Sequence, residues 1–226
     1  GKFLTLMLGL FTILASLAWV GYKVWVYQQT TNSAIALNQG NLIYQYDKSH
    51  LVPFGEFIPW GFQWFIDLFK VPLGNFDRGS TTQTPYILEQ GIDQIAIGLM
   101  ICYEDVFGDE LAKRQRNSSL EHHLWINLTN LAWFGDSQAP EQQLRLARLR
   151  SIETGIPTLR ATNTGVTAVI NSQGQVVYEL PKFQQATLKA SVQAYSGKTP
   201  YVWLGDFPIL IISGLLLIFA WYQNKK

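Results

Sequence analysis

One cysteine, two methionines and three histidines in 226 residues leave this chain poor in side chains that announce metal or redox chemistry. With a single thiol, Cys102, no internal disulfide can form. No His/Cys grouping has metal-ligand spacing, so neither a metal nor a cofactor is expected. Charge is scarce as well. Lys and Arg total 17 against 16 Asp and Glu, a net +1, and charged residues make up 15% of the chain, which removes the electrostatic case for a nucleic-acid partner. There is no glycine-rich phosphate loop, internal repeat or low-complexity segment.

Apolar residues are what the chain has, 48% hydrophobic and 14% aromatic. Residues 3–22 carry no charge and are long enough to span a bilayer. Residues 207–222 form a second such run, extended backward by Tyr201-Val-Trp-Leu204 and followed by Lys225-Lys226. Trp19, Tyr22, Trp25, Trp203, Trp221 and Tyr222 cluster at the run ends, as interfacial aromatics do. Lys2 ahead of the first run also fits a signal peptide, but no small-residue cleavage site follows it. Two membrane helices are expected, giving a helix and flank at 1–27, a middle domain at 28–202 and a helix with a basic tail at 203–226. Lys2, Lys225 and Lys226 favour cytoplasmic termini against the weaker pull of Lys23, which puts the middle domain outside the cytoplasm.

The middle domain reads as α/β. Two strands flank an Asn38-Gln-Gly-Asn41 turn between residues 33 and 46. An aromatic stretch, Trp60, Trp64, Phe65, Leu68 and Phe69, recurs at helical spacing, either as a helix on the core or as a flap in the lipid interface. The continuous apolar run 95–101 predicts a strand covered on both faces. A helix is expected near 109–116 and a strand over 124–128. Pro140 opens a helix that runs to Thr154 and stops at Gly155. Strands 158–161, 165–171 and 175–179 follow, the last two joined by a Ser172-Gln-Gly174 turn.

Cys102 stands where the apolar strand breaks into Tyr103-Glu-Asp105, at a carboxyl edge where open α/β sheets place ligands. It reads either as a nucleophile or as a small buried hydrophobe. Lys48 is by local sequence a solvated turn residue. Fixed beside a thiol, its ammonium would lower the thiol pKa and stabilise an oxyanion. Glu56 and Glu104 are candidate acid–base or orienting carboxylates, although a glutamate in such a place is more often a surface charge. His122 and His123 sit in a polar linker. His50 could form a Cys–His dyad, which nothing in its spacing supports. Asn117-Ser-Ser119 and Asn127-Leu-Thr129 match glycosylation sequons.

Tyr46-Asp-Lys-Ser-His-Leu-Val-Pro-Phe-Gly-Glu-Phe-Ile-Pro59, Ile101-Cys-Tyr-Glu104, Ala132-Trp-Phe-Gly135, Leu159-Arg-Ala-Thr-Asn-Thr-Gly-Val-Thr-Ala168 and Thr199-Pro-Tyr201 together resemble one family. It is apolipoprotein N-acyltransferase, a membrane-embedded branch of the nitrilase (carbon–nitrogen hydrolase) superfamily, and the likeness runs from about Asn32 to the C-terminus. The resemblance implies a partial αββα nitrilase-like domain flanked by two transmembrane helices, on the periplasmic side of a bacterial inner membrane. It implies that Cys102 takes an acyl group from a phospholipid donor as a thioester and passes it to the amine of an apolipoprotein diacylglyceryl-cysteine. By the same resemblance Lys48 is the oxyanion-side cation, Glu56 a supporting glutamate, and Tyr103 with Glu104 the wall beside the nucleophile.

The chain departs from that pattern at its N-terminal side. The nitrilase triad is Glu–Lys–Cys with the base ahead of the lysine, and here the first glutamate is Glu56. Leu131 replaces an acidic residue, which would loosen a loop near the site, and Gln143 replaces a histidine. The readings left open are an active acyltransferase, an inactive membrane-anchored scaffold that binds lipoproteins or lipid, and a membrane-tethered amidase.

Overall fold

The computed structural model describes residues 30–62, 64, 76–90, 93–118 and 120–225. The first expected membrane helix lies outside them, as does most of the aromatic segment after Phe62. The chain divides into two compact units, one of residues 1–32 and 51–77, the other of residues 33–50 and 78–226.

In the first unit Glu56 ties the described segments together. Its backbone N–H donates to Val52 O at 2.8 Å and its carbonyl accepts from Phe76 N at 3.0 Å. Its carboxylate accepts from Asn32 Nδ2 at 2.7 Å and from Val52 N at 2.8 Å. Trp60 and Gly61 form a turn, with Gly61 at φ 87°, so no helix begins at Trp60.

The second unit begins with a hairpin, β1 (Ser33–Asn38) and β2 (Asn41–Asp47). Gln39 and Gly40 both have positive φ, 49° and 82°, the geometry of a two-residue turn whose twist suits a hairpin. β3 (Tyr86–Gln90), β4 (Asp93–Ile101), β5 (Leu124–Thr129), β6 (Thr158–Thr162), β7 (Ala168–Ile170) and β8 (Val176–Glu179) form a six-stranded sheet in sequence order. β4, β5 and β6 are parallel, and the outer pairings are antiparallel. The strand expected over 165–171 is shorter because its start is used elsewhere: the Thr167 hydroxyl accepts from Thr162 N at 3.1 Å.

The apolar run of β4 is covered on both faces, as its composition requires. Ile97, Leu99 and Ile101 pack with Ala34 and Tyr46 of the hairpin, while Met100 packs with Leu111, Trp125 and Ile156. Leu111 belongs to α1 (Gly108–Asn117), and α2 (Ala139–Thr154) sets Leu144 and Ala147 against Ala168 and Ile170 of β7. Helices on one face and the hairpin on the other make three layers, α–β–β, among the described residues. α2 has Pro in its first turn and ends at Gly155, whose φ of 72° closes the helix in the left-handed form. Gly98 is required by packing: a Cβ there would lie 2.1 Å from the Trp125 ring.

After β8 the chain reaches α3 (Pro200–Leu204), capped by Thr199, whose Oγ1 accepts from Val202 N at 3.2 Å. Arg116 of α1 holds this short helix through Val202 O and Trp203 O, and Lys198 Nζ donates back to Arg116 O. Gly205 breaks the helix, and α4 (Phe207–Asn224) follows with none of its residues buried. Eighteen residues give about 27 Å of helix, close to the roughly 30 Å of a bilayer core. α4 is the one helix among the described residues long and apolar enough to cross a membrane.

Candidate functional site

The site is built where β4 ends. Cys102 is half-buried, has φ 58° and opens a 3-10 turn, Cys102–Val106. A left-handed residue with a Cβ stores roughly 1–3 kcal/mol of strain and persists only when its surroundings enforce it.

Those surroundings include the segment after β2. Glu104 is buried, and its carboxylate accepts five hydrogen bonds. Oε1 takes Ser49 N at 2.7 Å, Ser49 Oγ at 2.6 Å and His50 N at 3.2 Å. Oε2 takes the Tyr46 hydroxyl at 3.0 Å and Ile101 N at 2.7 Å. This one carboxylate therefore bolts residues 46–50 to the turn carrying Cys102, and it orients backbone with both oxygens occupied. Tyr46 is gripped further by Arg114, whose Nη1 donates to its oxygen at 3.3 Å while Nη2 donates to Leu99 O at 2.8 Å. Burial pushes the Tyr46 hydroxyl pKa well up, so it stays a donor.

Lys48 is 1% exposed, and its Nζ lies 5.5 Å from the centre of the Tyr103 ring. The solvated-turn alternative therefore fails, because the Glu104 anchor draws the lysine inside. Its carbonyl accepts from Gly79 N at 2.9 Å, where any Cβ would meet Asp47 O at 2.1 Å. Tyr103 packs edge-on against Phe107, with ring centres 5.6 Å apart. His50 stacks on Phe107 and pairs with Glu110 at 2.6 Å, so its ring is engaged away from a Cys–His dyad. Lys48, Cys102, Tyr103 and Glu104 are thus brought together in the second unit, while Glu56 belongs to the first.

Beneath Cys102, the registers set Met100, Asn127, Arg160 and Ala168 abreast on the helix-covered face. Two polar residues in this row meet the turn. Arg160 Nη1 pairs with Asp105 Oδ2 at 3.1 Å, both side chains fully buried. Desolvation pushes Asp105 up to about 6, against the pull of the Arg160 guanidinium, which leaves the carboxylate largely ionised at neutral pH. The Cys102 carbonyl accepts from Asn127 Nδ2 and from Gln143 Nε2 of α2, each at 3.0 Å.

Several of these residues escape a sequence reading. Asn127 matches a sequon, but its side chain is 0% exposed, so it cannot accept a glycan in the folded chain. A polar residue at an inward position of the apolar strand 124–128 was the available signal. His122 is buried against Trp125 rather than lying in a polar linker, with ring centres 4.8 Å apart, because Gly98 leaves space beneath it. Leu131 does not loosen its loop. It is buried, it fills the space at Gly165, and its N–H donates to Asn163 Oδ1 at 2.9 Å. No group of three His, Cys, Asp or Glu among the described residues could hold a metal.

The carbon-nitrogen hydrolase family pattern matches residues 10–201. The chain is 44% identical over 197 residues to the apolipoprotein N-acyltransferase of Ralstonia nicotianae, covering 87% of this chain and 37% of that protein. It is 45% identical over 175 residues to the apolipoprotein N-acyltransferase of Nitrosomonas europaea, covering 76% and 34%. Among solved structures, the C. elegans NitFhit protein matches with TM-score 0.47 at 20% identity, over 68% of this chain and 36% of that one. The chain spans about a third of the length of these curated relatives. A family match over most of its length, together with a mixed sheet that presents a lone cysteine at a strand end, makes this chain a member of the carbon–nitrogen hydrolase family.

Proposed function

We propose that this chain carries the acyl-transfer site of an apolipoprotein N-acyltransferase. One observation carries the reading: a buried lysine packed on Tyr103, held by Glu104 to the same turn that strains Cys102 into a left-handed conformation. The Cys102 thiolate attacks the ester carbonyl of a phospholipid, and Lys48 faces the oxyanion of the tetrahedral intermediate. The C–O bond breaks, the lysophospholipid leaves with a proton, and a thioester remains on Cys102. The amine of an S-diacylglyceryl-cysteine then attacks the thioester, giving the amide and regenerating the thiol. Tyr103 and Glu104 wall and orient the nucleophile, and Glu56 supports the loop after Lys48.

The likeness to named N-acyltransferases and the bare apolar α4 support a setting in a bacterial inner membrane. In this reading residues 28–202 form the periplasmic catalytic domain and a second span lies within residues 1–27. Splitting one acyl transfer into two covalent steps suits a donor and an acceptor that are both held in lipid.

A second reading, an inactive scaffold, has its own support. The Glu56 carboxylate is occupied in holding Asn32 and Val52. Glu104 has both oxygens engaged by donors, and Asp105 is paired with Arg160. All three of these carboxylates are engaged, so none of them stands ready to take the Cys102 proton.

Incubating the purified chain in lipid with a labelled-acyl phospholipid tests both readings. An active site gives a hydroxylamine-sensitive adduct that Cys102→Ser abolishes and that a diacylglyceryl-cysteine peptide discharges. No adduct sinks the acyltransferase reading for this chain and leaves the scaffold. Ammonia released from simple amides without any acyl adduct would make it an amidase instead.

A further inference from the structure

The carbonyl oxygen of Cys102 is the meeting point of three elements. Its residue opens the turn after β4, Asn127 comes from β5 and Gln143 from α2, and both amides donate to it at 3.0 Å. We propose that Asn127 and Gln143 are positioning residues for Cys102, two converging N–H donors that hold its peptide plane and so aim the thiol. This rests on the acyl-transfer reading above.

The orientation of each amide is fixed by chemistry. The Thr129 hydroxyl donates to Asn127 Oδ1, which leaves Nδ2 as the group facing Cys102. Gln143 Oε1 is buried without a hydrogen-bond partner among the described residues. An unsatisfied buried acceptor is costly, and turning the amide over would set oxygen against the Cys102 carbonyl oxygen. Gln143 thus leaves its acceptor unmatched and keeps its donor on Cys102.

The same two amides reach the far end of the turn. Asn127 Nδ2 lies 3.5 Å from Asp105 Oδ2 and Gln143 Nε2 lies 3.5 Å from Asp105 Oδ1, while Arg160 holds that carboxylate at 3.1 Å. First and fourth residues of the 3-10 turn are therefore joined through shared donors and cannot rotate independently. Without the donors, the strained φ of 58° at Cys102 relaxes toward negative values and swings Cβ and Sγ with it. A misplacement of about 1 Å at a reacting atom costs a rate on the order of 10²-fold.

The lone cysteine makes the test clean. Labelling with [1-¹³C]cysteine gives one carbonyl signal, that of Cys102, in the full chain held in lipid. Gln143→Met, which keeps bulk and loses the donor, should move this signal upfield and slow acylation by labelled phospholipid about 10²-fold. Gln143→His, whose ring N–H can donate, should return both toward the parent values, a rescue that a merely space-filling role would not give. Asn127→Leu repeats the loss from the other side of the oxygen. An unmoved carbonyl signal in folded Gln143→Met overturns the proposal, and so does a moved signal with acylation unchanged. If the parent chain forms no acyl adduct, the acyl-transfer reading is what fails, and the carbonyl signal decides alone whether the two amides hold Cys102.

Discussion

The Tyr46 hydroxyl donates to Glu104 Oε2 at 3.0 Å across 58 residues of sequence, joining the hairpin to the turn that carries Cys102. Both partners are buried. Glu104→Gln keeps the shape but replaces one acceptor oxygen with an amide donor. Ser49 N, His50 N and Ile101 N all point at this group, and backbone donors cannot turn away. A loss of roughly 3 kcal/mol in unfolding stability is expected, since hydrogen bonds to a charged group contribute about 1.5–3 kcal/mol each. Chemical denaturation of the parent and variant measures it, and equal midpoints would contradict the anchoring role.

Lys48 gives a second, chemical expectation. Lys48→Met keeps the buried stem and removes the charge facing the proposed oxyanion. Loss of one such stabilising group typically lowers the rate about 10²–10³-fold, so adduct formation on Cys102 should fall by that factor in single-turnover labelling. Adduct forming at the parent rate would remove Lys48 from the mechanism.

His122 sets an acid limit. Its ring is buried, neither nitrogen has a hydrogen-bond partner among the described residues, and burial with the nearby Arg114 charge pulls its pKa down to about 3. Between pH 6.5 and 3 the unfolded chain takes up a proton that the folded chain does not. Stability therefore falls with pH across that window, by at most about 1.4 kcal/mol per unit. Asp105 acts in the opposite sense. Its folded pKa near 6 exceeds its ordinary value of 3.8, so its contribution improves as pH falls from 6. His122→Phe should flatten the acid loss in unfolding midpoints taken between pH 4 and 7, and unchanged slopes would count against it.

Gly98→Ala is expected to cost at least about 1–3 kcal/mol, the range for overpacking a filled interior. The added Cβ would sit 2.1 Å from the Trp125 ring and 2.7 Å from His122. Thermal unfolding checks it, and combining the change with Trp125→Leu should recover part of the loss, because contacting residues couple.

Much of the scaffold was readable because its signals are local. Gln39-Gly40, the apolar run of β4, and Pro140 with Gly155 bounding α2 each carry their cause within a few residues. The position of Cys102 at a strand end followed from the break after Ile101. What local sequence hid was burial imposed from afar. Lys48 is drawn in by Glu104, His122 by the space over Gly98, and Asn127 and Gln143 by a carbonyl 25 and 41 residues away. The short β3 was missed although Tyr86-Ile-Leu-Glu-Gln90 pairs residue for residue with β4.

The break between α3 and α4 has a mechanical meaning. Arg116 and Lys198 fasten α3 to α1, and only Gly205 and Asp206 separate it from the bare helix beyond. Two residues stretch to roughly 7 Å at most. With α4 seated in lipid, as proposed, the α/β sheet region that carries Cys102 is on a short leash that permits tilting but little drift. Its thiol then searches a thin shell above the bilayer rather than a volume, where the proposed acyl donors would be met at the crowding of a surface.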